Sequence, residues 1–251
     1  MGLDFDINKA VELYKKSGAS TQFTDSLKQV LRYAQKSDGI NSISDLAYLL
    51  ATAKSESDYS LQRWEADYLC NSTGKAYVGK PCQRALDYYR STNGKANYYN
   101  LGTDKNGLPY FGRGLIQLTG KSNYKYYGDK LGINLINNAN LALVPINSFN
   151  IATTFMNKKR GGKYAKNGTS RSTFDIVRDG DLRLARISVN GGTKSLSEIN
   201  KNFALWKNIL TKLKAKPSNG TNNNLVKILV FSAVVVSLSV GAYFLIKKTV
   251  K

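Results

Sequence analysis

The chain of 251 residues contains no histidine, and that absence decides which side chains can do chemistry. Ser-His-Asp and Cys-His nucleophile systems are excluded, as are the His-containing zinc sites of amidases and metallopeptidases. The two cysteines, Cys70 and Cys82, are too few for an all-thiolate zinc site. Acid–base hydrolysis therefore falls to carboxylates. Glu56 follows several apolar turns and lies near the C-terminal end of a helical pattern, which puts a carboxylate at the rim of a core. Beyond it, Asp58-Tyr-Ser-Leu-Gln-Arg-Trp-Glu65-Ala-Asp67-Tyr mixes acidic and aromatic side chains as a sugar-binding wall would.

The second chemistry-bearing stretch is Tyr110–Tyr124, YFGRGLIQLTGKSNY. Gly112 and Gly114 flank Arg113, so the backbone there can take dihedrals barred to other residues. Gln117, Thr119, Asn123 and Tyr124 then offer amide, hydroxyl and aromatic groups at close spacing, the equipment for holding a sugar. On local pattern alone the stretch also reads as a glycine turn followed by a short buried strand. It is neither a phosphate loop nor a dinucleotide fingerprint, because the glycine and lysine spacings of both are missing.

This stretch resembles the signature of the family-19 glycoside hydrolases, the chitinase and phage-endolysin family, in which Gly-Arg-Gly-x-Ile-Gln-Leu-Ser/Thr is followed by Asn-Tyr. The resemblance covers roughly residues 20 to 210. It implies a mainly α, lysozyme-like, two-lobed domain with a cleft between the lobes, and hydrolysis of a β-1,4 bond between amino sugars with inversion. It carries the general-acid role to Glu56, with Lys54 standing where the family usually has a His. In phage-type members the second carboxylate falls about as far on as Glu65, which becomes the candidate general base, with Asp67 and Asp58 as rivals. One continuous helix would separate Glu56 and Glu65 by roughly 13 Å; a turning loop can bring them to the roughly 6.5–9.5 Å of an inverting pair. Val189-Asn190-Gly191-Gly192 matches a family turn whose Asn lines the cleft. The implied substrate-binding set is Gln117, Thr119, Asn123, Tyr124 and Asn190, with Thr119 positioning a water and Arg113 either bracing the turn or touching ligand. No metal or cofactor is implied.

The elements that must position these groups are helices. Asp6 caps a helix through about Lys16, and Thr21 or Thr24 starts a second, with Phe23, Leu27, Val30, Leu31 and Ala34 at helical spacing. Ser42 or Ser44 caps a third, whose stripe of Ile43, Leu46, Ala47, Leu50 and Ala53 leads to Glu56. Gln83–Arg90 reads as a short helix, Asn123–Leu131 as another closed by Gly132, and Ile146–Lys158 as one with Phe149, Ala152, Thr153 and Met156 inward. Phe174–Val189 reads as one helix and Leu196–Leu213 as the last of the soluble part, while Lys158–Lys166 reads as a solvated basic loop. Cys70 and Cys82 fit a disulfide or two thiols equally well.

Lys and Arg total 37 against 17 Asp and Glu, a formal net charge of +20 that suits a polyanionic partner such as a bacterial wall, an anionic membrane or nucleic acid. No nucleic-acid reader motif is present, so no specific nucleic acid is expected. Met1–Ile7 lacks the basic start and apolar run of a signal peptide. The domain reading is 1–211 for the hydrolase-like part, 212–224 for a polar linker, 225–247 for a transmembrane helix and 248–251 for a basic tail. Ile228–Ile246 is uncharged and spans roughly 28 Å as a helix, about one hydrocarbon core. The expected partners are peptidoglycan strands, or a chitin-like polymer, and a lipid bilayer. The expected location is the membrane of a membrane-containing bacteriophage, or a bacterial inner membrane facing the wall. A lytic transglycosylase with a single acid, and an inactive wall-binding or structural membrane protein, are the competing readings.

Overall fold

The computed structural model describes residues 3–65, 67–70, 82–90 and 101–214. The expected linker, membrane span and basic tail from 215 onward lie outside them. Among the described residues no helix is long and apolar enough to cross a membrane. The described chain is mainly α, and its first elements are α1 (Ile7–Lys16), α2 (Thr24–Gln35) and α3 (Ile43–Ser57). Next come α4 (Gln83–Arg90), α5 (Lys121–Leu131) and α6 (Pro145–Asn157). The last three are α7 (Thr173–Arg178), α8 (Leu182–Asn190) and α9 (Leu196–Lys214), so the last helix runs three residues past the expected boundary at 211.

Helix α3 is the centre. Its sequence is apolar on every side, and every residue from Asp45 to Ala53 is buried, as a helix with no polar face must be. It packs most extensively on α9, with α7 and α6 also against it. Ser42 starts it by accepting the Asp45 N–H at 3.1 Å, and Asp6 starts α1 by accepting that of Lys9 at 3.0 Å. Thr24 is the first residue of α2, but its N-cap, Phe23, offers no side-chain acceptor. Thr21 instead accepts the Phe23 N–H at 3.0 Å and donates to the Asp58 carbonyl.

The end of α3 is where the chain turns back. Asp58 and Tyr59 are both left-handed, with φ of 52° and 67°. Asp tolerates that region; a bulky Tyr there is strained and must be held by its surroundings. Tyr59 is held: its hydroxyl accepts the indole N–H of Trp206 at 2.9 Å, and Tyr14 stacks on Trp206 at 4.8 Å and meets Tyr59 edge-on. This reversal ends the helix at Ser57 and sends Glu65 back toward Glu56 instead of onward.

Two cores result. The large one is built from α1–α3 and α5–α9 around Leu46, Leu49, Phe149, Phe174 and Trp206. The small one contains Trp64, Ala85, Leu101 and Phe111, with Leu69, Leu143 and the Cys70–Cys82 pair packed against it. The two cysteines are joined as a disulfide. The expected single helix over Phe174–Val189 is corrected to two. Gly180 is left-handed at φ 86°, and the Asp181 side chain accepts the Leu184 N–H at 2.8 Å to start α8. Asp-Gly-Asp is a stop followed by a start, and it outweighs the apolar period that runs through it.

Candidate active site

Glu56 stands in the last turn of α3, and Glu65 on the segment that returns from the Asp58–Tyr59 reversal. Both line one cavity of about 700 Å³, together with Gln117, Thr119, Ser122, Asn123 and Asn190. Leu101, Ile116, Phe155 and Val189 supply its apolar surface. Of the expected set, six residues therefore meet: the two carboxylates, Gln117, Thr119, Asn123 and Asn190.

The floor is the glycine turn. Arg113 N–H donates to the Leu118 carbonyl at 3.1 Å and Leu118 returns the bond at 2.9 Å, closing a tight loop over residues 113–118 in place of a strand. Gly114 has φ 75°, and a Cβ there would meet Ser148 Oγ at 2.5 Å and the Ala142 carbonyl at 3.0 Å, so a side chain is barred twice over. Ser57 Oγ donates to the Leu115 carbonyl at 2.9 Å, tying the end of α3 to this loop. Glu65 is tied to it from the other side: its N–H donates to the Gly112 carbonyl at 2.7 Å, and its Oε2 accepts the Gly112 N–H at 3.3 Å. One loop thus sets the positions of both carboxylates.

The polar lining is partly committed to the loop itself. Gln117, left-handed at φ 54°, donates both amide protons to the Arg63 and Gly114 carbonyls, which leaves its oxygen as an acceptor. Thr119 donates its hydroxyl proton to the Gln117 carbonyl at 2.8 Å, so toward the cavity it too can only accept. Asn123 donates to the Thr119 carbonyl at 2.8 Å and keeps its oxygen. Asn190 is exposed at the end of α8, where Gly191 caps the helix at φ 76°.

Three expectations are corrected or decided here. Tyr124 does not line the cavity: it is fully buried beneath the loop, donating to the Phe111 carbonyl at 2.8 Å and accepting from Arg113 at 2.9 Å. Burial pushes its phenol up, and the Arg113 guanidinium offsets only part of that. Arg113 braces the turn. It is 1% exposed, bonds the Pro109 carbonyl and Asn140, and lies 4.0 Å over the Phe111 ring. Lys54 turns away from Glu56, donating to Asp58 Oδ1 at 2.5 Å and to the Ser20 carbonyl at 2.6 Å. Of the rival bases, Asp58 is thereby engaged with Lys54, and Asp67 is buried and paired with Arg63 at 3.0 Å. Neither lines the cavity.

The cation that does meet Glu56 is Arg186, from the middle of α8: its Nη1 donates to Glu56 Oε1 at 2.7 Å, and its Nε donates to the Lys194 carbonyl at 2.8 Å. The sequence reading misses it. The available signal is its place four residues before Asn190, on the same face of a helix. The expected solvated loop at Lys158–Lys166 is also more structured: Lys159 pairs with Asp175, Lys158 lies 4.0 Å over the Tyr126 ring, and Arg160 and Arg171 exchange backbone hydrogen bonds.

Residues 88–169, which contain the glycine turn, Gln117, Thr119 and Asn123, match the family model of the family-19 glycoside hydrolases, described as chitinase class I. Glu56, Glu65, Arg186 and Asn190 lie outside the matched segment. Among curated proteins, Chitinase 8 of Oryza sativa subsp. japonica is 45% identical over 56 residues, 22% of this chain and 22% of the rice protein. Chitinase 11 of the same plant is 50% identical over 48 residues, 19% of each. The match thus spans about a fifth of the length of these relatives. Chitinase C from Streptomyces griseus HUT6037 is similar over 84% of this chain and 94% of its own, at 18% identity and a TM-score of 0.49. A bacterial family 19 chitinase aligns over 81% of this chain and 84% of its own, at 18% identity and a TM-score of 0.42.

Proposed function

We propose that the protein is a membrane-anchored wall hydrolase that cleaves β-1,4 bonds between amino sugars in peptidoglycan by a two-carboxylate, inverting mechanism. The observation that carries this reading is the joint presence of Glu56 and Glu65 on one cavity floored by the family-19 glycine turn. Glu56 protonates the leaving glycosidic oxygen. Glu65 takes a proton from a water that attacks the opposite face of the sugar. Thr119, able only to accept toward the cavity, orients that water, while the oxygens of Gln117 and Asn123 and the amide of Asn190 hold N-acetyl and hydroxyl groups. Arg186 keeps the Glu56 carboxyl in one orientation between turnovers.

The anchor and location rest on residues 212–251. A polar linker, the uncharged run Ile228–Ile246 and flanking lysines suit an enzyme built into a bilayer more than one that diffuses to its target. A virion membrane, from which the enzyme opens the wall locally during entry, is the location we favour over a bacterial inner membrane.

Zymography on purified peptidoglycan, with wild type beside Glu56→Gln and Glu65→Gln, tests the assignment; clearing by either variant at the wild-type rate overturns the role of that carboxylate. One observation favours a second reading. The Glu65 carboxylate is drawn onto the Gly112 N–H, whereas a lytic transglycosylase needs Glu56 alone. Mass analysis of the products separates the two, since anhydro ends belong to the transglycosylase and reducing ends to the hydrolase.

A further inference from the structure

A second groove, of about 530 Å³, opens between the C-terminal half of α2 and the first turns of α6. Its floor is aromatic: the Tyr33 and Phe149 rings lie 5.5 Å apart. Two amides, Gln29 and Asn150, and two cations, Arg32 and Lys36, stand around that floor. Gln29 Nε2 donates to the Tyr33 hydroxyl at 2.8 Å, which orients the phenol and leaves its proton for an outside acceptor. Arg32, in the last turn of α2, and Lys36, at its C-cap, lie four residues apart, both exposed, and neither meets a carboxylate among the described residues. Asp38 is the one acidic residue of the lining, against two cations. From the other side α6 presents its N-terminal turn, which has no acidic residue and no side-chain cap, so the positive end of its dipole adds to the same field.

The cavity at Glu56 and Glu65 has the opposite character: its lining contains two carboxylates and no Lys or Arg. That lining suits a neutral, acetylated sugar. The groove's lining suits a ligand that combines a flat apolar face, amide or hydroxyl groups and a negative charge.

We propose that the α2–α6 groove is an accessory binding site for a carboxylate-bearing wall glycan, which holds the peptide-substituted part of a strand whose sugar backbone enters the catalytic cavity. This rests on the wall-hydrolase reading above and extends it to the choice of polymer. Tyr33 and Phe149 offer a surface for a sugar face, Gln29 and Asn150 pair with amides, and Arg32 and Lys36 meet the carboxylates of the stem peptide. The gain is one of avidity: two weak sites on one polymer raise retention on an insoluble wall without altering turnover of a short soluble chain.

The test uses the full-length chain in detergent. The double substitution Arg32→Gln/Lys36→Gln touches only exposed side chains, so the fold is expected to survive. Binding isotherms are recorded on teichoic-acid-free sacculi and on chitin, in a Glu56→Gln background that prevents digestion. Turnover of a soluble amino-sugar oligosaccharide is measured with Glu56 intact. The expected result is roughly tenfold weaker binding to sacculi, unchanged binding to chitin and unchanged kcat/KM on the oligosaccharide. Unchanged sacculus binding, or an equal loss on chitin, overturns the proposal. So does a loss seen only on walls that carry phosphodiester polymers, which would assign the cations to phosphate. If sacculus binding falls but no polymer is cut by the parent chain, the groove stands and the hydrolase reading fails. If sacculi are cut and binding does not move, the reverse holds.

Discussion

Arg186 and Glu56 form an ion pair of unequal partners: the guanidinium is 2% exposed and the carboxylate 20%. Removing one member of a desolvated pair leaves the other charge uncompensated, and the cost depends on whether the survivor can reach water. Glu56→Ala strands a buried guanidinium and is expected to cost about 3 kcal/mol. Arg186→Met leaves a carboxylate at the edge of a cavity and is expected to cost about 1 kcal/mol. Urea midpoints of the two variants give the order directly; a larger loss for Arg186→Met would mean that Arg186 contributes by packing rather than by its pair with Glu56.

Gly114 and Gly120 are both left-handed, at φ 75° and 87°, but they differ in what surrounds them. A Cβ at Gly120 meets nothing within 4 Å, whereas one at Gly114 meets Ser148 Oγ at 2.5 Å and the Ala142 carbonyl at 3.0 Å. Gly120→Ala should therefore cost only the backbone term, about 1 kcal/mol. Gly114→Ala adds overpacking against a carbonyl, for a total of about 3 kcal/mol, and shifts the loop that carries both carboxylate contacts. Thermal unfolding measures the first effect and glycan turnover the second. Equal Tm losses would show that the loop relaxes freely.

Most of the helical frame was legible because it is written in local chemistry. Asp6 and Ser42 are caps followed by helical periods, and Gly132 and Gly191 are left-handed stops in the expected places. What was not legible depends on partners distant in sequence. Tyr59 carries no turn signal; it is left-handed because Trp206 and Tyr14 hold it. Arg186 reads as a surface charge until α8 is placed beside the end of α3. Tyr124 looks like a sugar platform in the sequence, but its spacing from Arg113 puts the phenol under the turn, where it closes the bonding of the buried guanidinium. Residues 117, 119 and 123 were readable because they follow one another on a single short loop and its next turn, each bonding to a carbonyl within four residues of itself.

The acid response should trace to Asp175. Burial raises its pKa, but hydrogen bonds from Lys159, from the Ser172 backbone and hydroxyl and from Arg178 outweigh burial and hold the carboxyl well below the usual range. A carboxyl lowered in the folded state stabilises fully above its unfolded value, and that contribution is lost as pH falls toward the folded value. Stability should therefore begin to fall below about pH 4. Asp45, which shares Arg178, has the opposite sign: burial pushes it up, so its protonation favours the folded state as pH falls. Asp175→Asn should lower the urea midpoint at neutral pH and flatten its decline between pH 5 and about 2.5. Parallel curves for the two proteins would remove Asp175 from the account.

The disulfide tests whether the small core holds Glu65. Cys70 and Cys82 close a loop with a sequence separation of 12, and both pack on the cluster that contains Trp64, the neighbour of Glu65. A cross-link of that span is worth about 3 kcal/mol in chain entropy. The chain has two tryptophans, and they report separately: Trp64 lies in the small core and Trp206 in the large one. Treatment with a dithiol, or the Cys70→Ser/Cys82→Ser double variant, should open the small core first. Acrylamide should then quench Trp64, read in a Trp206→Phe background, while the far-ultraviolet helix signal persists. Because Glu65 remains bonded to Gly112, kcat should fall by roughly tenfold rather than vanish, with KM little changed. Full activity with Trp64 still shielded would show that the bonds from Arg63 and Glu65 to the glycine loop are enough, and that the disulfide serves another part of the chain.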